Sequence, residues 1–263
     1  MRVIRPFDPW KSKLCTCPEK FSFNPYTGCA HQCIYCYATY IPRFYHLREK
    51  KNLFRNLEKD LQKIPENALI SMSNSSDPYP PVEKEREITR RCLEILKDYD
   101  VRLLIVTKSD IVVRDLDILS EMRCAVSITI TGLDSLEPFA PPSERRIEAL
   151  KQIKDLNIPT ILRFDPVIPG MNDEKLEIIE KCMPNHVVTS TLKLTDTIAS
   201  KIVELKTLYQ ENFGRYRYMK RQDRIRILKK VENYCKNFEI SCAFRREGLN
   251  FKAKSCDGSH LID

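Results

Sequence analysis

The sequence predicts an α/β protein built on a parallel sheet, either open or barrel-like. Six short apolar segments, each bounded by polar or turn residues, alternate with amphipathic segments along most of the chain. The connecting segments are long enough for the crossover helices that parallel strands require. At 263 residues, the chain is large enough for one large domain with a substantial core.

The predicted strands are apolar along most of their length, as strands covered on both faces are. The first runs into a turn, the second changes from apolar to polar, and the other four are rich in β-branched residues. In order, they lie at residues 21–28, 68–74, 101–107, 124–130, 159–165 and 186–192.

Helical periodicity occupies the intervals between these strands. In residues 143–156, Ile147, Leu150 and Ile153 form one stripe, and Ser143 is expected to cap the N-terminus of the helix. Further helices are predicted at residues 83–98, 114–122, 173–181 and 196–210. Because ligands of parallel α/β folds bind at the carboxyl ends of the strands, the residues that follow each strand are the first site candidates.

The chain is basic, with 44 Lys and Arg against 36 Asp and Glu, which gives a net charge of +8. That charge suits an anionic partner such as nucleic acid, and it also suits solubility alone. No apolar run is long enough to span a membrane, and the N-terminus lacks the apolar region of a secretory signal. We therefore expect a cytoplasmic protein without a membrane partner.

Eleven cysteines in a reducing compartment are not expected to form a disulfide framework, so metal binding is the first explanation to test. Cys29, Cys33 and Cys36 fall within eight residues, just after the first strand. Structural zinc usually takes four ligands from two separated pairs, whereas three thiolates suit an iron–sulfur cube with one open iron. The alternatives are a zinc site completed by His31 or a distant cysteine, and three buried free cysteines.

The CxxxCxxC spacing of these cysteines, with Tyr35 just before the last, resembles the radical SAM superfamily. The resemblance covers roughly residues 20–195 and implies a partial TIM-type (βα)6 barrel. It also implies that Cys29, Cys33 and Cys36 bind a 4Fe–4S cluster whose open iron is chelated by S-adenosyl-L-methionine (SAM). With an external electron donor, such a site gives a 5′-deoxyadenosyl radical that abstracts hydrogen from a substrate.

Further segments resemble the spore photoproduct lyase-like branch of that superfamily, which is related to DNA repair photolyases. They include residues 24–38, 73–83, 106–119 and 165–173. This resemblance implies that Ser76, Asp77 and Lys108 contact SAM. It also implies that Tyr35 packs at the adenine and that Tyr37 relays a hydrogen atom, although packing of the cluster loop explains Tyr37 equally well. Nucleic acid is then one candidate substrate.

Four other positions bear on the site. Asn74 stands where the lyase has a hydrogen-donating cysteine, so the lyase reaction itself is not expected. Ser127 and Thr129, in the fourth predicted strand, are placed to reach the ribose of SAM. Arg163, in the fifth, carries a charge that needs a partner if it faces the barrel interior, and the candidates are SAM and Asp165.

The barrel is predicted to have flanking segments. We divide the chain into an N-terminal arm at residues 1–20, a barrel at 21–195 and a helical, Cys-containing extension at 196–263. Five cysteines remain that either form a second metal site or are free and packed: Cys15, Cys17, Cys235, Cys242 and Cys256. The other three, Cys92, Cys124 and Cys182, are interpreted as core residues.

The extension contains a basic stretch at residues 215–230. Its arginines and lysines are interleaved with Tyr216 and Tyr218, a pattern that suits a phosphate backbone with stacked bases. The alternative is an amphipathic helix that packs Leu228 and Val231 on the barrel.

Together these observations predict a radical SAM enzyme, lyase-like or transferase-like, that acts on an unidentified substrate, with nucleic acid as one candidate class. One alternative is radical modification of a protein or peptide. The other is a nucleic-acid-binding protein with structural zinc.

Overall fold

The computed structural model describes residues 2–7, 14, 17–73 and 75–262. Its strands are β1 (Arg5–Pro6), β2 (Phe21–Phe23), β3 (Tyr26–Thr27), β4 (Arg48–Glu49), β5 (Ala68–Met72), β6 (Val101–Thr107), β7 (Cys124–Thr129), β8 (Thr160–Val167), β9 (His186–Thr191), β10 (Glu211–Phe213), β11 (Tyr216–Tyr218) and β12 (Ser241–Phe244). Its α-helices are α1 (Leu53–Leu61), α2 (Glu83–Arg86), α3 (Ile88–Lys97), α4 (Leu116–Leu119), α5 (Ser143–Asp155), α6 (Glu177–Cys182), α7 (Asp196–Lys201) and α8 (Arg221–Lys236).

One eight-stranded sheet organises the molecule, in the order β1-β2-β5-β6-β7-β8-β9-β12. The six predicted strands are confirmed as β2 and β5 to β9, and all of them pair in parallel. At one edge β1 pairs antiparallel with β2, and at the other β12 adds a further parallel strand beside β9. No pairing between β1 and β12 occurs in the described part of the chain, so this is the open, partial barrel that was predicted.

Alternation along the strands separates two apolar regions. One small cluster combines Leu69, Leu104, Ala125, Ile161 and Val188 from five neighbouring strands with Ile262 from the C-terminal tail. The residues between them, such as Ile70 and Leu162, belong to the larger core that also contains the helices. The small cluster fills the barrel interior. Residues two or four positions further along each strand point to the same side, and many of them are polar residues that line the open carboxyl end.

Several helices differ in detail from the prediction. The helix predicted at residues 83–98 is broken by Glu87, whose φ of 51° is left-handed, and becomes α2 and α3. Ser143 is the first residue of α5 rather than its cap, and its hydroxyl donates to Asp134 instead. The helix predicted at 196–210 is confirmed only as α7 followed by a 3₁₀ turn at Val203–Thr207.

The C-terminal extension combines a helix with strands that the sequence did not predict. Leu228 and Val231 of α8 are fully buried, and the helix packs on β9 and β12, as the amphipathic interpretation expected. The tyrosines of the basic stretch lie instead in a hairpin of β10 and β11. None of the described helices is both long and apolar enough to cross a bilayer.

Candidate functional site

A cavity of about 190 Å³, open to solvent, lies at the carboxyl end of the partial barrel. Its lining brings together most of the residues that were predicted from the sequence: Cys29, Cys33, Tyr35, Cys36, Tyr37, Ser76, Asp77, Lys108, Thr129 and Arg163.

The three cysteines lie in the long connection between β3 and β4, two short strands that pair antiparallel. Gly28 begins the loop with a φ of 84°, and a Cβ there would lie 2.4 Å from the carbonyl oxygen of His46. Only glycine permits this approach, after which the backbone N–H of Cys29 donates to Phe44 at 2.8 Å. The loop then turns the thiols of Cys33 and Cys36 into the cavity.

The thiols are desolvated but not gathered around a single ion. Thiolates on one zinc ion lie about 4 Å apart, because each Zn–S bond is about 2.3 Å. Among the described residues, the only three potential ligands whose donor atoms all lie within 4.8 Å of one another are Cys17, Cys256 and Asp257. The wider spacing of the three loop thiols fits a cluster, in which each cysteine binds a different iron.

Burial raises the pKa of Cys29 and Cys33 to about 12 and that of Cys36 to about 11. The metal-free thiols are therefore protonated at neutral pH, and metal binding would release their protons. Three soft sulfur donors in a desolvated loop are the donor set that an iron–sulfur cluster takes.

His31 does not complete a zinc site. Its ring is buried, with Nδ1 3.0 Å from the carbonyl oxygen of Phe139 and Nε2 3.3 Å from Oδ2 of Asp77. Both ring nitrogens thus face groups other than the cysteines. The zinc alternative that used His31 finds no support in this geometry.

Asp77 links the ends of two strands to the cluster loop. Its carboxylate accepts from Thr107 Oγ1 at 2.7 Å, from the backbone N–H of Lys108 at 2.7 Å and from that of Tyr79 at 2.9 Å. Burial would raise the pKa of Asp77, but His31 and these hydrogen bonds hold it below its usual range. Asp77 lines the cavity, and its carboxylate oxygens are engaged by groups of the protein.

Glu137 is a buried residue of the site that sequence reasoning did not single out. Lys108 Nζ lies 2.9 Å from Glu137 Oε1 and 2.8 Å from the phenol oxygen of Tyr35. The carboxylate also accepts from Tyr35 and pairs with Arg146 at 2.5 Å. Burial opposes its ionisation, but Lys108 and Arg146 hold the pKa of Glu137 at about 2. We call Cys29, Cys33, Cys36, Asp77, Lys108 and Glu137 the cluster wall.

The remaining predicted residues are placed as follows. Ser76 is buried and donates to the carbonyl oxygen of Tyr26 at 3.0 Å, and Tyr37 lines the cavity beside Cys36. Arg163 pairs with Asp165 at 3.4 Å, which is one of the two partners expected for it. Ser127 is fully buried and is absent from the lining of the cavity, whereas Thr129, two residues further along β7, is part of it.

The cysteines outside the loop do not form one group. Cys17 and Cys256 meet with their Sγ atoms 3.3 Å apart, so the N-terminal arm and the tail do touch. Cys235 and Cys242 are buried and hydrogen-bonded to each other in the larger core. Cys15 and Asn74 lie outside the described residues.

Known proteins resemble the chain in both sequence and fold. The sequence profile of the Radical SAM superfamily matches residues 23–182. The chain belongs to the radical SAM superfamily. An uncharacterised protein of Methanocaldococcus jannaschii is 35% identical over 185 residues, which cover 66% of this chain and 68% of that protein. One of Acidianus two-tailed virus is 28% identical over 190 residues, 62% of each chain, so under two thirds of the viral protein is spanned.

Solved radical SAM structures share the architecture. A tyrosine-to-phenylalanine variant of spore photoproduct lyase has a TM-score of 0.69 at 14% identity, covering 88% of this chain and 76% of that one. Another variant of that lyase, with bound AdoMet and dinucleoside spore photoproduct, has a TM-score of 0.65 at 16% identity, covering 94% and 81%. At such identities the likeness concerns the fold alone, and it supports the partial barrel described above.

Proposed function

We propose that this chain is a radical SAM enzyme whose Cys29, Cys33 and Cys36 hold a 4Fe–4S cluster. The observation that carries the proposal is the set of three desolvated thiols that line one cavity at the carboxyl ends of the strands. When bound, the cluster and SAM supply reductive cleavage of SAM and a 5′-deoxyadenosyl radical that abstracts hydrogen. An external electron donor and a reducing, cytoplasmic compartment belong to the same proposal.

The residues of the cluster wall would orient SAM through charge and packing. Lys108 presents a cation held in place by Glu137 and Tyr35, and a cation so fixed suits the carboxylate of SAM. Asp77 positions Lys108 by accepting its backbone N–H. Ser76 and Thr129 supply hydroxyls at the same cavity, and the buried ring of Tyr35 offers an apolar edge to the adenine.

Tyr37 is the residue that we propose as a hydrogen-atom relay, because it stands next to Cys36 at the cavity surface. Arg163 and Ser127 were also expected near SAM. We propose that Ser127, which lies deeper than Thr129, supports the site without contacting SAM. Arg163 lines the cavity and pairs with Asp165, so we propose that it faces the substrate.

Nucleic acid is the substrate class that we propose for testing first. A solved neighbour in fold contains a dinucleoside photoproduct, and this chain carries a net charge of +8. Another neighbour, with a TM-score of 0.56 at 12% identity, contains AdoMet and a peptide, so a peptide substrate is the outcome to set against it.

Reductive cleavage of SAM tests the proposal. Anaerobically reconstituted protein with dithionite should release 5′-deoxyadenosine, and Cys33→Ala should reduce the rate to background. Cys182→Ala is the matched control, because Cys182 is equally buried but lies in the helical core. Cleavage that survives in Cys33→Ala would remove this cysteine from the cluster.

A further inference from the structure

The wall of the cavity on β8, β9 and β12 carries an excess of positive charge. Arg163 lies on β8, Lys193 follows β9 and Arg245 follows β12, and all three line the cavity. We call these three residues the basic wall. Neither Lys193 nor Arg245 was singled out from the sequence.

Strand register explains why these side chains meet. Along β8, Ile161 belongs to the interior cluster, and Arg163 and Asp165 follow on the same face at steps of two. In the β9–β12 ladder Ala243 is opposite Val188, so Arg245 lies two positions above the interior cluster, next to Ser190. The three cations therefore lie next to the small apolar cluster that fills the barrel interior, at the inner end of the cavity.

Asp165 is the carboxylate that acts on all three cations, while Asp257 also acts on Arg163 and Glu247 on Lys193. Asp165 accepts from Arg163 at 3.4 Å and from Ser190 Oγ at 2.5 Å, and Lys193 reaches the same Ser190 hydroxyl at 3.0 Å. Burial would raise the pKa of Asp165, but Lys193, Arg163 and Arg245 hold it below its usual range. Burial and the charge of Arg245 lower the pKa of Arg163, whereas Tyr37 and Asp165 outweigh burial and raise the pKa of Arg245.

Hydrogen-bonding capacity also remains unused on this wall. Arg163 is only 6% exposed, and neither its Nε nor that of Arg245 has a hydrogen-bond partner in the described part of the chain. Two other cations of the cavity differ, since Lys20 is paired with Asp257 and Lys108 with Glu137. A buried guanidinium with an unused N–H is costly unless a ligand completes its hydrogen bonds.

We propose that Arg163, Lys193 and Arg245 form an anion subsite that binds a phosphate or carboxylate group of the substrate, across the cavity from the cluster wall. Guanidinium groups suit both anions because their N–H groups match paired oxygens. The proposal rests on the proposed function in one respect, which is that the bound molecule is the one attacked by the radical. If the subsite binds the substrate, the substrate carries a phosphate or carboxylate group that enters the cavity at the open end of the barrel.

Calorimetric titration with inorganic phosphate and, separately, with succinate tests the subsite on anaerobically reconstituted protein saturated with SAM. Wild type should bind at least one of the two anions, and which one identifies a phosphate or a carboxylate substrate. Arg245→Gln and Lys193→Gln should each weaken binding at least tenfold. Arg226→Gln is the matched control, because Arg226 is 79% exposed on α8, and it should bind as wild type does.

Two results would overturn the subsite. One is that wild type binds neither anion, or that both variants bind as tightly as Arg226→Gln. The other is competition between SAM and the anion, which would assign these cations to SAM. The use of Lys193→Gln guards against a fold defect specific to Arg245→Gln. Anion binding that depends on Arg245 in a protein without SAM cleavage would support the subsite and contradict only the proposed function.

Discussion

The two walls of the cavity differ in how their charges are balanced. On the cluster wall, Lys108 lies 2.9 Å from Glu137, and Asp77 accepts three hydrogen bonds from neighbouring strand ends. On the basic wall, three cations share Asp165. A wall whose charges are paired within the protein keeps its shape without a ligand, whereas excess buried cations destabilise the fold until an anion binds. The first arrangement suits cofactors that are always the same, and the second suits a charged substrate.

Glu137→Gln should break the balance of the cluster wall and have the largest effect on stability. The carboxylate holds Lys108 and Arg146, and they in turn hold the pKa of Glu137 at about 2, against an ordinary value of 4.5 and against the effect of burial. A depression of that size corresponds to about 3 kcal/mol at neutral pH. Urea unfolding should show a loss of about 3 kcal/mol in this variant.

The pH dependence checks the same interaction. A depressed carboxyl pKa stabilises the fold above its unfolded value, and this stability is lost as pH falls through the folded value. Between about pH 5 and about pH 2, wild type should therefore lose about 3 kcal/mol more than Glu137→Gln. Glu144→Gln, at an exposed carboxylate 3.7 Å from Lys181, should stay within about 0.5 kcal/mol of wild type. Parallel pH profiles for wild type and Glu137→Gln would contradict the balance described here.

Arg245→Gln should have a much smaller effect on stability than Glu137→Gln. Removing Arg245 ends the repulsion that lowers the pKa of Arg163 and leaves Asp165 with Arg163 and Lys193. We expect unfolding free energies within about 1 kcal/mol of wild type. A loss as large as that of Glu137→Gln would mean that the basic wall is already compensated.

The smallest expected effect on the protein is that of oxidising Cys17 and Cys256, which contact each other near Arg245 of the basic wall. With Sγ atoms 3.3 Å apart, they should be linked by diamide into a disulfide that joins the N-terminal arm to the tail. Peptide mapping under non-reducing conditions should detect the link, with the iron content unchanged. Cys235 and Cys242, a fully buried hydrogen-bonded pair, are the internal control and should react more slowly. Equal rates for both pairs would show that burial does not separate them.

The sequence predicts those parts of the fold and the candidate site whose pattern lies within a few neighbouring residues. The cluster cysteines are recognisable because their spacing lies within eight residues, and the six strands because each is a continuous apolar run. Glu137 could not be predicted as a site residue, because Lys108 is 29 residues away in the sequence and contacts Glu137 only in the folded barrel. Arg245 escaped notice because β12 is a four-residue strand without a distinctive pattern, and its place in the sheet depends on α8 returning the chain to β9.

Iron analysis combined with electron paramagnetic resonance tests whether Cys29, Cys33 and Cys36 hold one 4Fe–4S cluster. Anaerobically reconstituted wild type should contain about four irons per chain, as one cube requires. Its dithionite-reduced signal should change when SAM is added, because SAM binds the open iron, and Cys33→Ala should lose both the iron and the signal. A colourless protein that holds a single zinc ion at Cys29, Cys33 and Cys36 and gives no paramagnetic signal would contradict the proposed 4Fe–4S cluster.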